Sequence, residues 1–205
     1  MTGQEQAPTH AAVVELREER VVVREAYDFL DEKRLLLAAE ILQQLERYEA
    51  LADRITGLAD SAGEQLRAAA CRHGLQGLSV YPATPLEDAG IDIRRRNFMG
   101  VTLVETDITL PEPADADTSS ACNPSTEAEQ CRAIFRELLQ LAALQAGLSG
   151  NLHRLSLEYR LTERRARALE NVILPEIEQN LKVMTAHLEE REFEDVMRVH
   201  LQARN

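Results

Sequence analysis

The 205-residue chain has no tryptophan, and its aromatic residues amount to only 4%. Large rings normally fill the broad cores of sandwiches, barrels and Rossmann-type enzymes, so this scarcity argues against all three. Cationic charge is also short: 23 Lys and Arg face 35 Asp and Glu, a net charge of −12. Binding to phosphate backbones needs clustered cations, so nucleic acid is excluded as a partner class. Cys71, Cys122 and Cys131 form no CxxC pair and have no His at ligand spacing. Neither a zinc site nor a disulfide framework is written there, and a reduced, cytosolic state is expected. The opening MTGQEQAPTH lacks the basic and apolar regions of a signal peptide. No apolar run approaches the ~18 residues that span a bilayer.

Catalytic signatures are missing as well. There is no GxxxxGK[ST], GxSxG or HExxH, and no Glu stands three residues before a His as in di-iron bundles. His10, His73, His153, His187 and His200 are scattered and read as solvated or seam-flanking side chains. Glu189-Glu190 reads as part of a charged helix face. The expected catalytic, cofactor and metal residues are therefore none, and the chain is not expected to be an enzyme.

What is present is helix-forming material. Ala, Leu, Glu, Arg and Lys supply about half of the chain, the compositional mark of a long helix or coiled coil. Residues 9–73 hold no proline. Leu16, Val23, Leu30, Leu37, Leu51 and Leu58 recur at spacings of seven, with Gln44 interrupting the row. A second row four residues on carries Tyr27, Ile41, Tyr48, Ile55 and Ala62, broken by Arg20 and Arg34. Two such rows form a coiled-coil seam. Pro8 and Thr9 predict the helix start, and Gly74 and Gly77 its end.

Pro82, Pro85, Pro111, Pro113 and Pro124 crowd the middle, the one part that breaks helical reading. Within it, Ile91-Asp92-Ile93 and Val101-Thr102-Leu103-Val104 flank Arg94 to Gly100, which predicts a small β-hairpin over about 91–104. Residues 97–131 carry acidic groups and no basic one, so 112–126 reads as a polar, acidic loop.

Helical patterning resumes at Ser125/Thr126, with Glu127 and Glu129 as a start signal. The second seam runs Leu138, Leu141, Gln145, Leu148, Leu152, Leu155, Tyr159, Thr162, Ala166, Leu169 and Ile173. It then steps by four twice, to Ile177 and Leu181, before Met184 and Leu188. Such steps mark a local unwinding, here beside Pro175, and one helix with a local kink is expected. The fold class is therefore all-α: a long antiparallel two-helix coiled coil with a small β-hairpin region in the middle. Its divisions are an N-terminal helix over 9–74, a middle region over 75–126 and a C-terminal helix over 127–203. At about 1.5 Å per residue the first helix would extend roughly 100 Å, with the hairpin at the far end from the termini. The basic cluster Arg94-Arg95-Arg96 reads either as a charged hairpin turn or as a docking contact for an acidic partner.

The C-terminal third carries a more specific pattern. RLTERRARALENVILPEIEQNLKVMTAHLEEREFEDVMRVHL, residues 160–201, resembles the end of the D subunit of the V-type and A-type rotary ATPases. The match rests on Arg164, Arg165, Ala168, Leu169, Glu170, Val172, Pro175, Leu188, Glu189 and Glu190, with Arg167 standing where the family has Asn. At the other terminus Pro8, Thr9, Leu16, Leu30, Lys33 and Arg34 are similar to the family's opening, with His10 in place of Lys. Met99-Gly100-Val101 is similar to the family's hairpin segment, with its proline displaced.

The resemblance implies a central rotor shaft without an active site of its own. In that family the shaft stands in the bore of the hexamer of A and B subunits. It joins the F subunit and the funnel-shaped component, called C or d, on the membrane ring, and it couples ATP hydrolysis or synthesis to proton or sodium transport. The expected place is the cytoplasmic side of the membrane, as a peripheral part of the complex and without insertion. Position along the shaft makes Arg164, Arg165, Arg191 and Arg198 candidate contacts toward the bore. Arg94, Arg95, Arg96, Phe98 and Met99 are the candidates at the hairpin. The alternative from another class is a stand-alone coiled-coil tether or adaptor.

Overall fold

The computed structural model describes residues 9–79, 89–111 and 125–203. Pro8, Pro82, Pro85, Pro113, Pro124, Cys122 and the loop residues 112–124 lie outside them. Two long helical stretches dominate, with one two-stranded antiparallel sheet between them in the chain. Helix α1 is His10–Ser79, strands β1 and β2 are Gly90–Phe98 and Val101–Thr109, and helix α2 is Thr126–Ala168. A π turn, Leu169–Ile173, leads directly into α3, Leu174–Gln202.

The helix starts follow from their caps. The Thr9 hydroxyl accepts the Ala12 N–H at 3.2 Å, and Ser125 does the same for Ala128 at 3.3 Å. Each satisfies an amide that the first turn leaves without a partner. Gly74 takes φ 71° and ψ 164° inside α1, a left-handed conformation that glycine adopts without a Cβ penalty. The helix breaks there as expected, but the chain resumes helical geometry to Ser79.

The chain packs as two compact units, Leu37–Glu158 on one hand and Met1–Leu36 with Tyr159–Asn205 on the other. In the Leu37–Glu158 unit, Leu37 and Leu155 are wholly buried, and Leu141, Ala62, Ala69 and Ala128 are buried with them. The end of α1 meets the start of α2: Arg72 pairs with Glu127 at 2.8 Å, and His73 Nε2 lies 2.6 Å from Ser125 Oγ. That pairing makes the two helices antiparallel. In the other unit Val13, Ile177 and Leu181 form a buried cluster, with Leu16, Val23, Met184 and Leu188 packed against it. His10 and Glu192 close its end at 3.3 Å. Nearly every seam position read from the sequence is buried or half-buried; Ile173 is exposed.

The exposure of Ile173 has a geometric cause. From Leu169 to Met184 the seam spans fifteen residues, where two heptads would take fourteen. One residue too many must be absorbed, or Ile177 and Leu181 would rotate off the seam by about 100°. Pro175 has no N–H for the Asn171 carbonyl, and the backbone N–H of Leu174 bonds Leu169 O instead, five residues back. The wider π turn takes up the extra residue and keeps the apolar face in phase. The helix is thus continuous through Pro175, with its irregularity one turn earlier than the proline.

The hairpin differs from its sequence reading in extent and place. Arg94, Arg95 and Arg96 lie within β1, and the turn is only Met99-Gly100, since Phe98 pairs with Val101. Met99 at φ 49° and Gly100 at φ 85° give the left-handed pair of a two-residue turn whose twist matches its strands. The charged-turn reading of the arginines is therefore corrected. The hairpin also does not sit at the far end of the helices. It lies along residues 40–51 of α1 and 143–151 of α2, well short of the Arg72–Glu127 end. The reason is burial: Val101, Leu103 and Leu110 need an apolar surface to cover them.

Candidate partner-contact surfaces

Strand register decides what the hairpin presents. In an antiparallel pair, opposite residues alternate between those that exchange backbone hydrogen bonds and those whose N–H and C=O face outward. Val104 belongs to the outward set, for its N–H donates to Asn151 Oδ1 at 2.7 Å and its C=O accepts from Asn151 Nδ2 at 2.8 Å. One side chain of α2 thereby caps the edge of β2. By the same alternation Arg95, paired with Val104, turns its backbone groups to the open edge of β1.

The arginine row is largely compensated within the protein. Arg96 reaches Glu40 Oε1 at 2.8 Å, a carboxylate only 7% exposed, and its guanidinium stacks 5.8 Å from the Phe98 ring centre. Arg94 lies 3.5 Å from Asp92 and opposite Glu105. Arg95 and Met99 are exposed, whereas Phe98 is half-buried. The structure thus brings all five hairpin candidates into one element, with Arg94, Arg95, Arg96 and Met99 exposed and Phe98 half-buried.

The other four candidates lie in the Tyr159–Asn205 part of the chain. Arg164 and Arg165 are exposed on the last turns of α2, just before the π turn. Arg191 and Arg198 stand seven residues apart on α3, hence on one face. Arg198 pairs with Asp195 at 3.7 Å.

Two arrangements escaped sequence reading. Beneath the hairpin, Gln44 Nε2 donates to Glu40 Oε1 at 2.8 Å, so Glu40 holds both Gln44 and Arg96. The visible signal was Gln44 itself, the polar break in a row of leucines. At the π turn, Tyr27, Asp28 and Arg24 of α1 and Glu170, Leu174 and Pro175 line a cleft of about 310 Å³. The Glu170 carboxylate beside Tyr27 raises the phenol's pKa, first through its charge, with some burial adding to it. No repeating pattern announces that pair.

Among the described residues no cluster of three His, Cys, Asp or Glu could hold a metal ion. No helix among them is long and apolar enough to cross a membrane. Comparison with known proteins identifies the lineage. The chain is 26% identical over 193 residues to the D subunit of the V-type ATP synthase of Thermotoga neapolitana, covering 94% of each. It is 28% identical over 194 residues to the D subunit of the A-type ATP synthase of Thermococcus sibiricus, covering 94% of this chain and 90% of that one. It is 24% identical over 198 residues to the A-type counterpart of Halobacterium salinarum, covering 96% and 88%. The profile of the ATP synthase D-subunit family matches residues 12–202, both long helical stretches and the hairpin together, and the chain belongs to that family.

Proposed function

We propose that the chain is the central rotor shaft of a V/A-type ATPase, a non-catalytic part of that machine. It turns within the A and B hexamer and couples ATP hydrolysis or synthesis there to proton or sodium movement through the membrane ring. The observation that carries this reading is the family match over 12–202, which takes in both helices and the hairpin as one unit. Its partners are the A and B subunits around the termini, with the F subunit and the C or d component lower down, on the cytoplasmic side of the membrane.

The physical features support a part made to work inside an assembly. Each helix pair is held by a narrow apolar seam. Its exposed ion pairs, such as Arg54–Glu137 and Arg167–Glu163, contribute about 0–1 kcal/mol each and hold no surface fixed. Exposed Val21, Val22, Phe29, Val196 and Met197 are apolar area that permanent neighbours would cover. In this reading the 9–74 and 127–203 helices are the shaft and the 75–126 segment is a side element. Arg164, Arg165, Arg191 and Arg198 face the hexamer bore, and Arg94, Arg95, Arg96, Phe98 and Met99 make the hairpin's contacts with the lower partners.

Affinity capture of the tagged chain from its native membranes tests the reading. The A and B subunits are expected to come down with it in stoichiometric amount. Recovery as a lone homodimeric coiled coil without them would overturn the shaft in favour of a stand-alone tether.

A further inference from the structure

The surface between hairpin and helices is unlike the seams. Among the described residues of the hairpin segment, only Val101, Leu103 and Leu110 are buried apolar side chains. The remaining attachment is polar: Asn151 on both groups of Val104, Arg96 on Glu40, the Thr106 hydroxyl on Ala143 O and Arg136 on Leu110 O. Helix side chains under the hairpin include buried polar ones beside Leu51, Leu144 and Leu148. Glu40 is 7% exposed, Gln44 3% and Asn151 2%, and the buried Gln44 Oε1 has no hydrogen-bond partner among the described residues. A cleft of about 270 Å³ remains there, between Gln44, Leu51, Leu103 and Leu148.

From this we infer that the hairpin is a releasable arm, clasped to the helix pair by Asn151 and the Glu40–Arg96 ion pair, and that it leaves while the helices stay paired. Three features favour release. Net hydrogen bonds contribute little each, because water replaces them on release. Gln44 Oε1 gains a partner from solvent, which recovers a desolvation cost borne in the docked state. The uncovered helix face is polar at Glu40, Gln44 and Asn151, so uncovering it exposes less apolar area than opening a leucine seam would. Release also frees Arg96 from Glu40, so Arg94 and Arg96, which share one face of β1, can act together toward an acidic surface. The arm is a property of this chain alone and does not rest on the rotor reading.

Fit at Gly147 provides the control. A Cβ there would collide with the Thr106 side chain, so the hairpin docks only because position 147 has none. Ala is a better helix former than Gly, and Gly147→Ala therefore pushes the hairpin off without weakening α2. Amide hydrogen exchange of the full chain, resolved by NMR, reads the outcome. In the native protein the Val104 amide should exchange at least tenfold faster than those of Leu141 and Leu155. Gly147→Ala should speed Val104 about tenfold further and leave Leu155 unchanged. Adding Thr106→Ala, which removes the colliding Oγ1 and leaves only the backbone N at 3.3 Å, should return Val104 toward its original rate. The inference is overturned if native Val104 exchanges within twofold of Leu155, or if Gly147→Ala moves Val104 and Leu155 together.

Discussion

The phenol of Tyr27 on α1 shares one cleft with the carboxylate of Glu170, the one acidic residue of the π turn. The neighbouring negative charge disfavours the phenolate and raises the Tyr27 pKa above its ordinary value. A folded-state pKa above the unfolded one stabilises the native form while the phenol is protonated. That contribution is lost as pH rises through the folded pKa. Titration of the tyrosine absorbance near 295 nm should show a late-ionising group that moves to lower pH in Glu170→Gln. An unchanged titration would show that the carboxylate does not govern Tyr27.

Two buried positions should respond to substitution in opposite directions. Thr162 is 1% exposed, and its hydroxyl has no partner among the described residues. Thr162→Val keeps the shape and removes the unpaired group, so urea unfolding should show a gain of about 1 kcal/mol. Leu155, with no exposure at all, should lose about 2–5 kcal/mol on truncation to Ala, through lost burial and the cavity left behind. A destabilised Thr162→Val would mean that the hydroxyl finds a bond.

The π turn is a consequence of seam arithmetic, and arithmetic can be edited. Deleting Asn171 leaves fourteen residues between the Leu169 and Met184 positions, two clean heptads, and removes the need for the wider turn. The deletion should keep the helical circular dichroism at 222 nm and shift Tm by no more than a few degrees. Deleting Arg160, where the heptads are already in phase, should rotate every later seam residue off its face and cost far more. Equal losses from the two deletions would refute the phase argument.

The seams, caps and family were legible because each rests on local chemistry. Leu37, Leu141 and Leu155 declare burial by their spacing, and Thr9 and Ser125 declare caps by a hydroxyl placed before the first turn. The Arg-rich segment before Pro175 carried the resemblance. The hairpin was legible as a hairpin but not in its seat, because seating depends on partners far apart in the chain. Nothing around Asn151 says that it caps a strand 47 residues earlier, and nothing around Gly147 says that Thr106 fills its missing side chain. The π turn was visible only as two extra four-residue steps. Those steps require an added residue without saying which irregular turn takes it up.

Where α1 ends beside the start of α2, acid should weaken the contact. Glu127 sits in the first turn of α2, and its own backbone N–H holds its pKa down, with the Arg72 guanidinium adding to the effect. Both carboxylate oxygens lie 2.8 Å from the same Arg72 nitrogen. A carboxylate with a depressed folded pKa contributes stability above the unfolded value, about 4.3, and loses it as pH falls through the folded one. The urea midpoint of the native chain should therefore exceed that of Glu127→Gln at pH 7, and the gap should close on acidification below pH ~4. Because the Arg72 side chain is 51% exposed and that of Glu127 31%, added salt should narrow the same gap at pH 7. The backbone share, made within the turn itself, should survive in 1 M salt. A gap that ignored both acid and salt would remove the charge from the account and leave only side-chain packing at the end of the pair.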